Sequence, residues 1–371
     1  MKVAIDTGPL KSGDKVRGVG FYTRELIDAL KKISNKEGLL LYELDSETIK
    51  VKAHEYDVVH IPYFNPYFLT VPNGLPTKVV VTVHDVIPLL YPDKYVAGVK
   101  GKLKLRKQIV ALKSIDAVIT DTEASKKDIV RFLEVDKEKI HPTHLAASSR
   151  FKRVISKSTL AKVKKKYNLP DTFILYVGDV NYNKNIPTLI KATSKANVPL
   201  VIVGKQAANL KDVASDLTHL HGPRDWIRFL FGKPHPEVAH YKELNVLMKK
   251  NNVITAGFVS DKDLTVVYNL ATIYCQPSLA EGFGLPVLEA FACGTPVVIS
   301  KTQALVEVAD DAALQANPRS IDEFAAHFKR LATSKKLRDE YSKKGTYRLK
   351  NYAWRKTAKE TISIYQKVVG T

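Results

Sequence analysis

Short runs of apolar residues alternate along this chain with segments whose apolar positions recur at helical spacing. In one such segment, residues 19–32, Phe21, Leu26, Ile27 and Leu30 share one face of the predicted helix. The apolar runs are rich in β-branched residues, and they predict strands at 2–6, 57–61, 78–83, 116–120, 139–143, 173–177, 199–203, 253–255, 273–275 and 296–299. Continuous apolar runs are typical of parallel strands that are buried on both faces. The alternation therefore predicts an α/β fold.

The predicted strands form two groups, separated by the strand-free segment 157–172, which we interpret as the passage between domains. A length of 371 residues also suits two domains, since a domain has roughly 150 residues. Two such domains in tandem imply a cleft, and open α/β sheets bind ligands at the carboxyl ends of their strands.

Composition excludes several classes of protein. With 45% hydrophobic and 26% charged residues, the chain is neither wholly disordered, nor collagen-like, nor a disulfide scaffold. Its 58 basic and 38 acidic residues give a net charge of +20, which favours a polyanionic partner such as nucleic acid, an acidic membrane face or a phosphorylated small molecule. Cys275 and Cys293 have no zinc-site spacing and suit a reducing compartment.

The amino-terminal residues do not resemble a signal peptide, because Asp6 interrupts the apolar run at once. No apolar stretch reaches the roughly 18 residues that span a bilayer. We therefore expect a cytoplasmic protein, either soluble or peripheral on the inner face of the membrane.

The most informative stretch is PSLAEGFGLPVLEAFACGTPVVIS at 277–300, which predicts a loop, a helix and a strand. Pro286 suits the first turn of the helix, where its missing N–H costs nothing. Gly284 permits positive φ, and the amides around Gly284, Leu285 and Val287 are expected to point unpaired from the helix start. Such amides form a phosphate site.

Two carboxylates flank this helix start: Glu281 precedes it and Glu289 lies one turn inside it. A carboxylate there is a poor phosphate ligand and a good acceptor for sugar or ribose hydroxyls. The plainer alternative is a pair of solvated acids beside a simple glycine turn. The whole string E-G-F-G-L-P-x-L-E-A-x-A-x-G-x-P-V, however, resembles the signature of family 4 retaining glycosyltransferases, which have the GT-B fold. The segments IDTGPL and RGVGFYTREL, together with HDVIPLLYP and the Lys-Asn run, resemble the mannosyl- and rhamnosyltransferase-like branch of that family.

The resemblance covers nearly the whole chain, at 17–30, 81–92, 173–192, 257–271, 306–318 and 353–368. It implies two Rossmann-like domains facing a central cleft, an acceptor-side domain at 1–160 and a nucleotide-sugar-binding domain at 161–352. The closing helix at 353–371 is expected to pack back on the first domain. Residues 206–250 have no counterpart in the family pattern.

The resemblance also implies roles for individual residues. Glu289 is expected to bind the ribose hydroxyls of the donor, and Val259 to lie near its base. Lys184 is expected to neutralise the diphosphate, and His84 to lie between the donor sugar and the acceptor. The expected catalytic residues are His84, Lys184 and Glu281, and the donor-binding residues are Gly18, Gly20, Asn183, Lys184, Val259, Glu281, Gly282, Phe283, Gly284, Leu285 and Glu289. In that set Gly18 and Gly20 belong to a loop that closes over the diphosphate, and the amides of 282–284 hold the transferring sugar together with Glu281.

One departure from the family pattern concerns the diphosphate. Relatives usually supply an Arg and a Lys, but here the run is Asn183-Lys184-Asn185, and Asp179 follows Gly178 where some relatives have Arg. Either the helix start and Lys184 suffice, or another residue such as Lys205 takes the place of the Arg, or catalysis is slow.

The histidine in V-T-V-H-D follows a predicted strand, which places His84 at a carboxyl strand end facing the expected cleft. A lone histidine in this position is more often a hydrogen-bonded core residue. Asp85 has the alternative role of capping the next turn. Lys15 and Arg17 suit either a phosphate contact or a plain surface.

These features imply a retaining hexosyltransferase of polysaccharide biosynthesis that uses a nucleotide-diphosphate sugar, GDP-mannose or a UDP-hexose, without a cofactor or an obligatory metal. Mannose is favoured, and the acceptor is a glycan or a lipid-linked molecule. The alternatives are a UDP-hexose-dependent member of the family, or a member that binds nucleotide sugar without transferring it. A nucleic-acid partner is not expected, because the chain has no recognised reading module.

The segment KGKLKLRKQIVALK at 100–113 predicts a basic helix. Leu105, Ile109 and Leu112 form an apolar stripe on it, and a basic face beside such a stripe is what a helix lying on an anionic membrane requires. Alternatively, the stripe packs on the sheet of the first domain and the lysines are solvated.

Overall fold

A computed structural model describes residues 1–11, 18–210, 236–251 and 253–370. The chain divides into two compact units. The first comprises Met1–Pro92, Val96–Ala146 and Tyr352–Thr371, and the second comprises Asp93–Tyr95 and Ala147–Asn351. Each unit contains a six-stranded sheet whose paired strands are all parallel. The predicted α/β class is confirmed.

The strands are β1 Lys2–Asp6, β2 Leu40–Leu44, β3 Val58–Ile61, β4 Lys78–Thr82, β5 Ala117–Thr120, β6 Ile140–Pro142, β7 Ile174–Val177, β8 Leu200–Val203, β9 Ile254–Gly257, β10 Ile273–Gln276, β11 Val297–Ser300 and β12 Leu314–Ala316. The α-helices are α1 Gly8–Lys11, α2 Gly18–Ile33, α3 Ser46–Lys52, α4 Ile87–Leu90, α5 Gly98–Ser114, α6 Glu123–Leu133, α7 Lys157–Lys166, α8 Ile186–Ala196, α9 Lys205–Ala208, α10 Pro236–Lys250, α11 Asp261–Leu270, α12 Leu285–Cys293, α13 Gln303–Ala309, α14 Ile321–Thr333, α15 Lys335–Arg348 and α16 Trp354–Val369. Short 3-10 turns lie at Ser34–Glu37, Ala53–Glu55, Lys137–Lys139, Tyr182–Lys184, Asp310–Ala312 and Leu349–Asn351.

The first unit has the strand order β2-β1-β3-β4-β5-β6. Every residue of β3 and β5 is buried, as their unbroken apolar sequences predict. One hydrophobic core lies between the sheet and helices α5 and α6, and it includes Val81, Val118, Leu112 and Ile129. This core fixes the ends of β4 and β5, from which His84 and Asp121 extend.

Helix α5 shows which way the predicted basic helix faces. Leu112 belongs to the core of the first unit, and Leu105 and Ile109 pack against that core. The interpretation of this stripe as the lipid-facing surface is therefore wrong, because the side chains are needed to cover the sheet. A different set of apolar residues on α5, Val99, Leu103 and Val110, is exposed.

Helix α16 belongs to the first unit and packs against α2. The indole of Trp354 lies edge-on to the Phe21 ring, with centroids 6.1 Å apart. The Tyr365 hydroxyl lies 2.6 Å from Nδ1 of the buried His60 in β3. The last helix is thus an integral layer of the first unit.

The second unit has the strand order β12-β11-β10-β7-β8-β9. The direction of strand succession reverses between β7 and β10, the point at which open α/β sheets bind ligands beyond their carboxyl ends. Phe324 and Phe328 of α14 pack with Ile190 of α8 and Tyr176 of β7 in the core on one face of the sheet. Helix α7, within the segment that we interpreted as the passage between domains, lies in this unit and packs against α11.

Candidate functional site

The segment after β7 turns sharply before helix α8 begins. Gly178 has φ 144°, and Asn185 has the left-handed φ of 57° that asparagine tolerates better than most residues. The side-chain amide of Asn185 donates hydrogen bonds to the carbonyls of Pro277 (2.9 Å) and Pro318 (2.7 Å). Since Pro277 follows β10, this asparagine fastens the two loops at the strand-order reversal to each other.

Lys184 and Glu281, one from each of these loops, form an ion pair. Nζ of Lys184 lies 2.8 Å from both carboxylate oxygens of Glu281. The Glu281 side chain is 8% exposed, and its Oε1 also accepts from Gln276 Nε2 and from Ser278 Oγ, both at 2.6 Å. The Glu281 carboxylate is therefore fixed by hydrogen bonds and shielded from solvent, which excludes the alternative of a solvated acid.

Helix α12 begins where the predicted phosphate site lies. Gly284 has φ 98°, and a Cβ at this position would lie 2.6 Å from Leu305 Cδ2, so glycine is required for both conformation and space. Within the described part of the chain, the amides of Gly284 and Leu285 make no hydrogen bond. The Val287 amide donates to the Gly284 carbonyl at 2.9 Å, so the prediction that it is unpaired was wrong: the first turn of the helix closes on itself. Two amides thus remain to attract an anion.

Glu289 lies one turn inside α12 and is buried. Its Oε2 accepts a hydrogen bond of 2.7 Å from the hydroxyl of Tyr268, which is also buried. Burial raises the pKa of Glu289 from its ordinary value to about 7, although the Tyr268 hydrogen bond and the charge of Arg150 act in the opposite direction. The alternative of a solvated acid is excluded for this residue also.

Val259 is buried just after β9, next to the exposed Phe258. Nζ of Lys205 lies 5.0 Å from the centroid of the Phe258 ring. Lys205, which we considered as a replacement for the missing cation, therefore stacks on an aromatic ring at the ends of β8 and β9.

Two residues that contact the turn before Lys184, Lys94 and Tyr95, were not predicted from the sequence. The Tyr95 hydroxyl donates to Oδ1 of the buried Asn183 at 2.6 Å and accepts from the Asn183 amide at 3.2 Å. Nζ of Lys94 lies 4.8 Å from the centroid of the Tyr182 ring. Asp93–Tyr95 belong to the second unit although the chain on either side belongs to the first, a placement that no local sequence pattern indicates.

In the first unit, His84 follows β4, and its Nδ1 lies 3.0 and 2.9 Å from the two carboxylate oxygens of Asp121. The alternative role of Asp85 is confirmed, since its Oδ1 accepts from the Ile87 amide at the start of α4.

Gly18 and Gly20 lie in the first turn of α2, not in a loop as expected, because the helical pattern of 19–32 extends back to Gly18. Lys15 and Arg17 lie outside the described residues.

The structure thus brings Asn183, Lys184 and Glu281 together, and it places Gly282, Phe283, Gly284, Leu285 and Glu289 in continuous sequence with Glu281. His84 lies in the other unit. The described ranges contain no cluster of three or more His, Cys, Asp or Glu side chains arranged to hold a metal ion. In those ranges, no helix combines the length and apolar character that crossing a membrane requires.

Comparison with known proteins shows which family the chain resembles. The family model of glycosyl transferases group 1 matches residues 158–348, and that of glycosyltransferase family 4 matches residues 34–145. O-antigen chain mannosyltransferase B of Escherichia coli is 26% identical over 414 residues, covering 99% of this chain and 100% of that protein. The serotype-specific mannosyltransferase WbdA of Escherichia coli is 23% identical over 326 residues, covering 84% of this chain and 37% of that protein. The crystal structure of Anabaena HepE with UDP and glucose has a TM-score of 0.70 at 17% identity and covers 98% of each chain, a likeness of fold.

Proposed function

This chain belongs to the family of glycosyl transferases group 1, and from that membership we propose that it transfers mannose from a nucleotide-diphosphate donor with retention at the anomeric carbon. It is a glycosyltransferase with the GT-B fold. The donor is GDP-mannose, or in the alternative a UDP-hexose. The acceptor is a glycan or a lipid-linked oligosaccharide.

The observation that carries the proposal is the grouping of a cation, two unpaired amides and a buried carboxylate at the strand-order reversal of the second unit. The amides of Gly284 and Leu285 and the ammonium of Lys184 attract a diphosphate, whose negative charge the start of α12 also favours. Glu289, on the same helix, accepts hydrogen bonds from the ribose hydroxyls.

The Glu281 carboxylate has acceptor capacity left for the transferred sugar. Oε1 already accepts from Lys184, Gln276 and Ser278, whereas Oε2 accepts from Lys184 alone among the residues that the structure describes. A carboxylate oxygen has about two acceptor positions, so Oε2 retains one for a sugar hydroxyl. The neighbouring backbone of Gly282 and Phe283 completes this part of the site.

Lys184 serves two anions in this proposal. An ammonium group has three N–H donors, and two of them point at Glu281, which leaves one for the diphosphate. Because charge accumulates on the diphosphate as the sugar leaves, Lys184 stabilises the transition state more than the bound donor. This residue thus acts in place of the usual pair of cations.

Mannose is favoured because a named mannosyltransferase, the Escherichia coli O-antigen chain enzyme, matches this chain over its entire length. The UDP-hexose alternative takes support from the fold likeness to HepE, which was crystallised with UDP and glucose. The name of the Escherichia coli relative supports a role in polysaccharide assembly.

A panel of nucleotide sugars tests the proposal, with a mannose-containing oligosaccharide as acceptor and the anomeric configuration of the product read by NMR. We expect GDP-mannose to be consumed and an α-linked product to form. Consumption of UDP-hexoses alone would overturn the choice of donor. Binding of nucleotide sugars without transfer or hydrolysis across the panel would instead favour a sensor or scaffold.

We further propose that the enzyme works on an anionic membrane surface through an exposed patch on the first unit, which we call the α5 patch. It consists of apolar side chains that are 55–69% exposed: Phe68, Leu69, Val99, Leu103 and Val110. Val99, Leu103 and Val110 fall on one face of α5, since their spacings of four and eleven residues correspond to nearly whole helical turns. The Gln108 side chain accepts hydrogen bonds from Thr70 and Val71, which holds the loop of Phe68 and Leu69 against α5.

Basic side chains share helix α5 with the patch. Helix α5 contains five lysines and one arginine and no acidic residue, and Nζ of Lys104 lies 5.1 Å from the centroid of the Phe68 ring. Apolar side chains that insert at the interface, with cations beside them, match an anionic bilayer.

Sedimentation with phosphatidylglycerol vesicles at moderate salt tests this surface. Phe68→Ser with Leu103→Ser should release the protein, as should Lys102, Lys104, Arg106 and Lys107 replaced by Gln, while activity on a soluble acceptor persists. Ile155→Ser is the control, since Ile155 is an apolar side chain outside the patch that is 92% exposed. If the parent protein does not sediment with such vesicles, the membrane proposal is wrong and a soluble acceptor is favoured.

A further inference from the structure

The carboxyl ends of β3, β4 and β5 in the first unit carry a buried chain of polar side chains that the proposed function uses only in part. Asp121, which follows β5, is 4% exposed and binds Nδ1 of His84 with both carboxylate oxygens. We propose that Asp121 is a positioning residue: it fixes the ring of His84 and keeps it protonated, so that His84 meets the substrate as a charged donor. This inference rests on the proposed role of His84.

The orientation of the ring follows from its contacts. A carboxylate only accepts hydrogen bonds, so Nδ1 of His84 must carry a proton in either charge state of the ring. The ring of Tyr22 packs on His84 at 84°, with centroids 4.6 Å apart, and the Tyr22 hydroxyl lies 3.1 Å from Thr82 Oγ1. Two neighbours thus hold the imidazole in one rotamer.

The other ring nitrogen of His84 differs from the first. Nε2 is buried and forms no hydrogen bond with the described part of the chain. A buried polar atom without a partner is costly, and such atoms recur where a ligand supplies the partner. We therefore expect Nε2 to be the atom of His84 that donates a hydrogen bond to a hydroxyl or phosphate oxygen of the substrate.

The surroundings of His84 favour its charged form. Burial by itself would lower the pKa of His84, but the charge and hydrogen bond of Asp121 oppose it, and Asp85 and the carbonyl of Pro62 add to them. The Pro62 carbonyl is close enough to act on the ring, but it forms no hydrogen bond with Nε2. The pKa of His84 is consequently raised.

His60 gives an internal comparison from the same end of the same sheet. Its Nδ1 lies 2.6 Å from the Tyr365 hydroxyl and its Nε2 lies 2.8 Å from Thr82 Oγ1, so both nitrogens meet neutral hydroxyls. Burial, followed by the charge of His84, lowers the pKa of His60 to about 3. Of the two histidines, the one that faces a carboxylate has the raised pKa, and this difference assigns them to different tasks.

The first test requires no activity. The C–H signals of His84, assigned by their loss in His84→Gln, should titrate above pH 6.5 in the parent protein. In Asp121→Asn they should titrate below that value, since the amide still accepts from Nδ1 but supplies no charge. Titration of His84 at or below 6.5 in the parent would overturn the proposal, whether or not Asp121→Asn folds. Asp121→Glu should keep the pKa raised.

The second test is kinetic. Asp121→Asn should lower kcat about tenfold to a hundredfold, because a charge-assisted interaction of His84 is lost. The alkaline limb of the kcat/KM profile should move to lower pH. Asp116→Asn is the matched control: Asp116 precedes β5, accepts from the Val79 amide at 2.8 Å, and its loss should leave the pH profile unchanged.

The outcomes separate the two proposals. A fall in kcat with an unmoved pH profile and an unmoved His84 titration would mean that Asp121 only supports the fold. A raised His84 pKa in a protein that transfers no sugar would leave the positioning intact and refute the proposed function.

Discussion

Replacement of Glu289 by glutamine should remove a pH dependence from the stability of the protein. Glu289 is buried against the Tyr268 hydroxyl, and burial raises its pKa from the ordinary value of 4.5 to about 7. Between these values the folded state keeps a proton that the unfolded state has lost. The contribution of Glu289 to stability is therefore complete below pH 4.5 and is lost as the pH rises through about 7.

The magnitude follows from the two pKa values. Integrated from pH 5 to pH 8, they make the parent protein lose about 2.5 kcal/mol of unfolding free energy through this one side chain. Glutamine does not ionise, so Glu289→Gln should not lose this unfolding free energy between pH 5 and pH 8. Urea unfolding of both proteins at pH 5 and pH 8 measures the difference, with Glu243→Gln as the control for an exposed carboxyl of the same unit.

A direct readout is the carboxyl carbon of Glu289 in a ¹³C titration, assigned by its loss in Glu289→Gln. We expect a midpoint near pH 7, and Tyr268→Phe should raise it further because the hydroxyl stabilises the carboxylate. A midpoint near 4.5, with the same stability difference between parent and variant at both pH values, would refute the reasoning.

If Glu289 binds the ribose, nucleoside diphosphate should release a proton on binding near pH 6.5 and should bind Glu289→Ala at least tenfold more weakly, about 1.4 kcal/mol.

Three further predictions concern the same unit. Lys184→Ala should lower kcat about a hundredfold or more and change donor affinity less, because its cation acts on the departing diphosphate; an effect below threefold in steady-state kinetics would assign the charge to another residue. Tyr95→Phe removes both hydrogen bonds of the hydroxyl to Asn183 in the turn that carries Lys184 and should lower kcat by about fivefold or more; an unchanged kcat would show that the turn holds its shape alone. Gly284→Ala should cost about 1–3 kcal/mol in a urea titration from strain alone, and more because the new Cβ meets Leu305. Gly38→Ala, also at positive φ but with open space around it, gives the strain without the contact; equal losses would mean that Leu305 moves aside.

Most strands could be predicted from the sequence because they are buried on both faces and so read as unbroken apolar runs. Two strands that lie at sheet edges escaped prediction. Strand β2, with the sequence LLYEL, lies at the edge of its sheet and has no fully buried residue. Strand β12 is an edge strand of three residues. At an edge, tertiary pairing decides the conformation, and the local pattern does not record it.

The candidate site likewise has one part that could be predicted from the sequence and another that could not. The loop and helix from Glu281 to Glu289 could be predicted because their residues are contiguous, and the start of a helix has fixed chemistry. The partners of Asn183 and His84 could not be predicted, since Tyr95 and Asp121 contact them from segments 88 and 37 residues away along the chain. The α5 stripe was misread because a helix that covers a sheet and a helix that lies on a membrane have the same period; only the observed packing of Leu105 and Leu112 distinguishes them.

The placement of α16 has a consequence for folding of the protein during its synthesis on the ribosome. The first unit needs a helix that is translated after the whole of the second unit, and the contact between His60 and Tyr365 spans 305 residues of chain. The second unit can complete its sheet as soon as it emerges, whereas the first must wait with the apolar face of α2 uncovered. A fragment ending at Ala146 should therefore aggregate, and a circular permutant that begins at Tyr352 should shorten the delay.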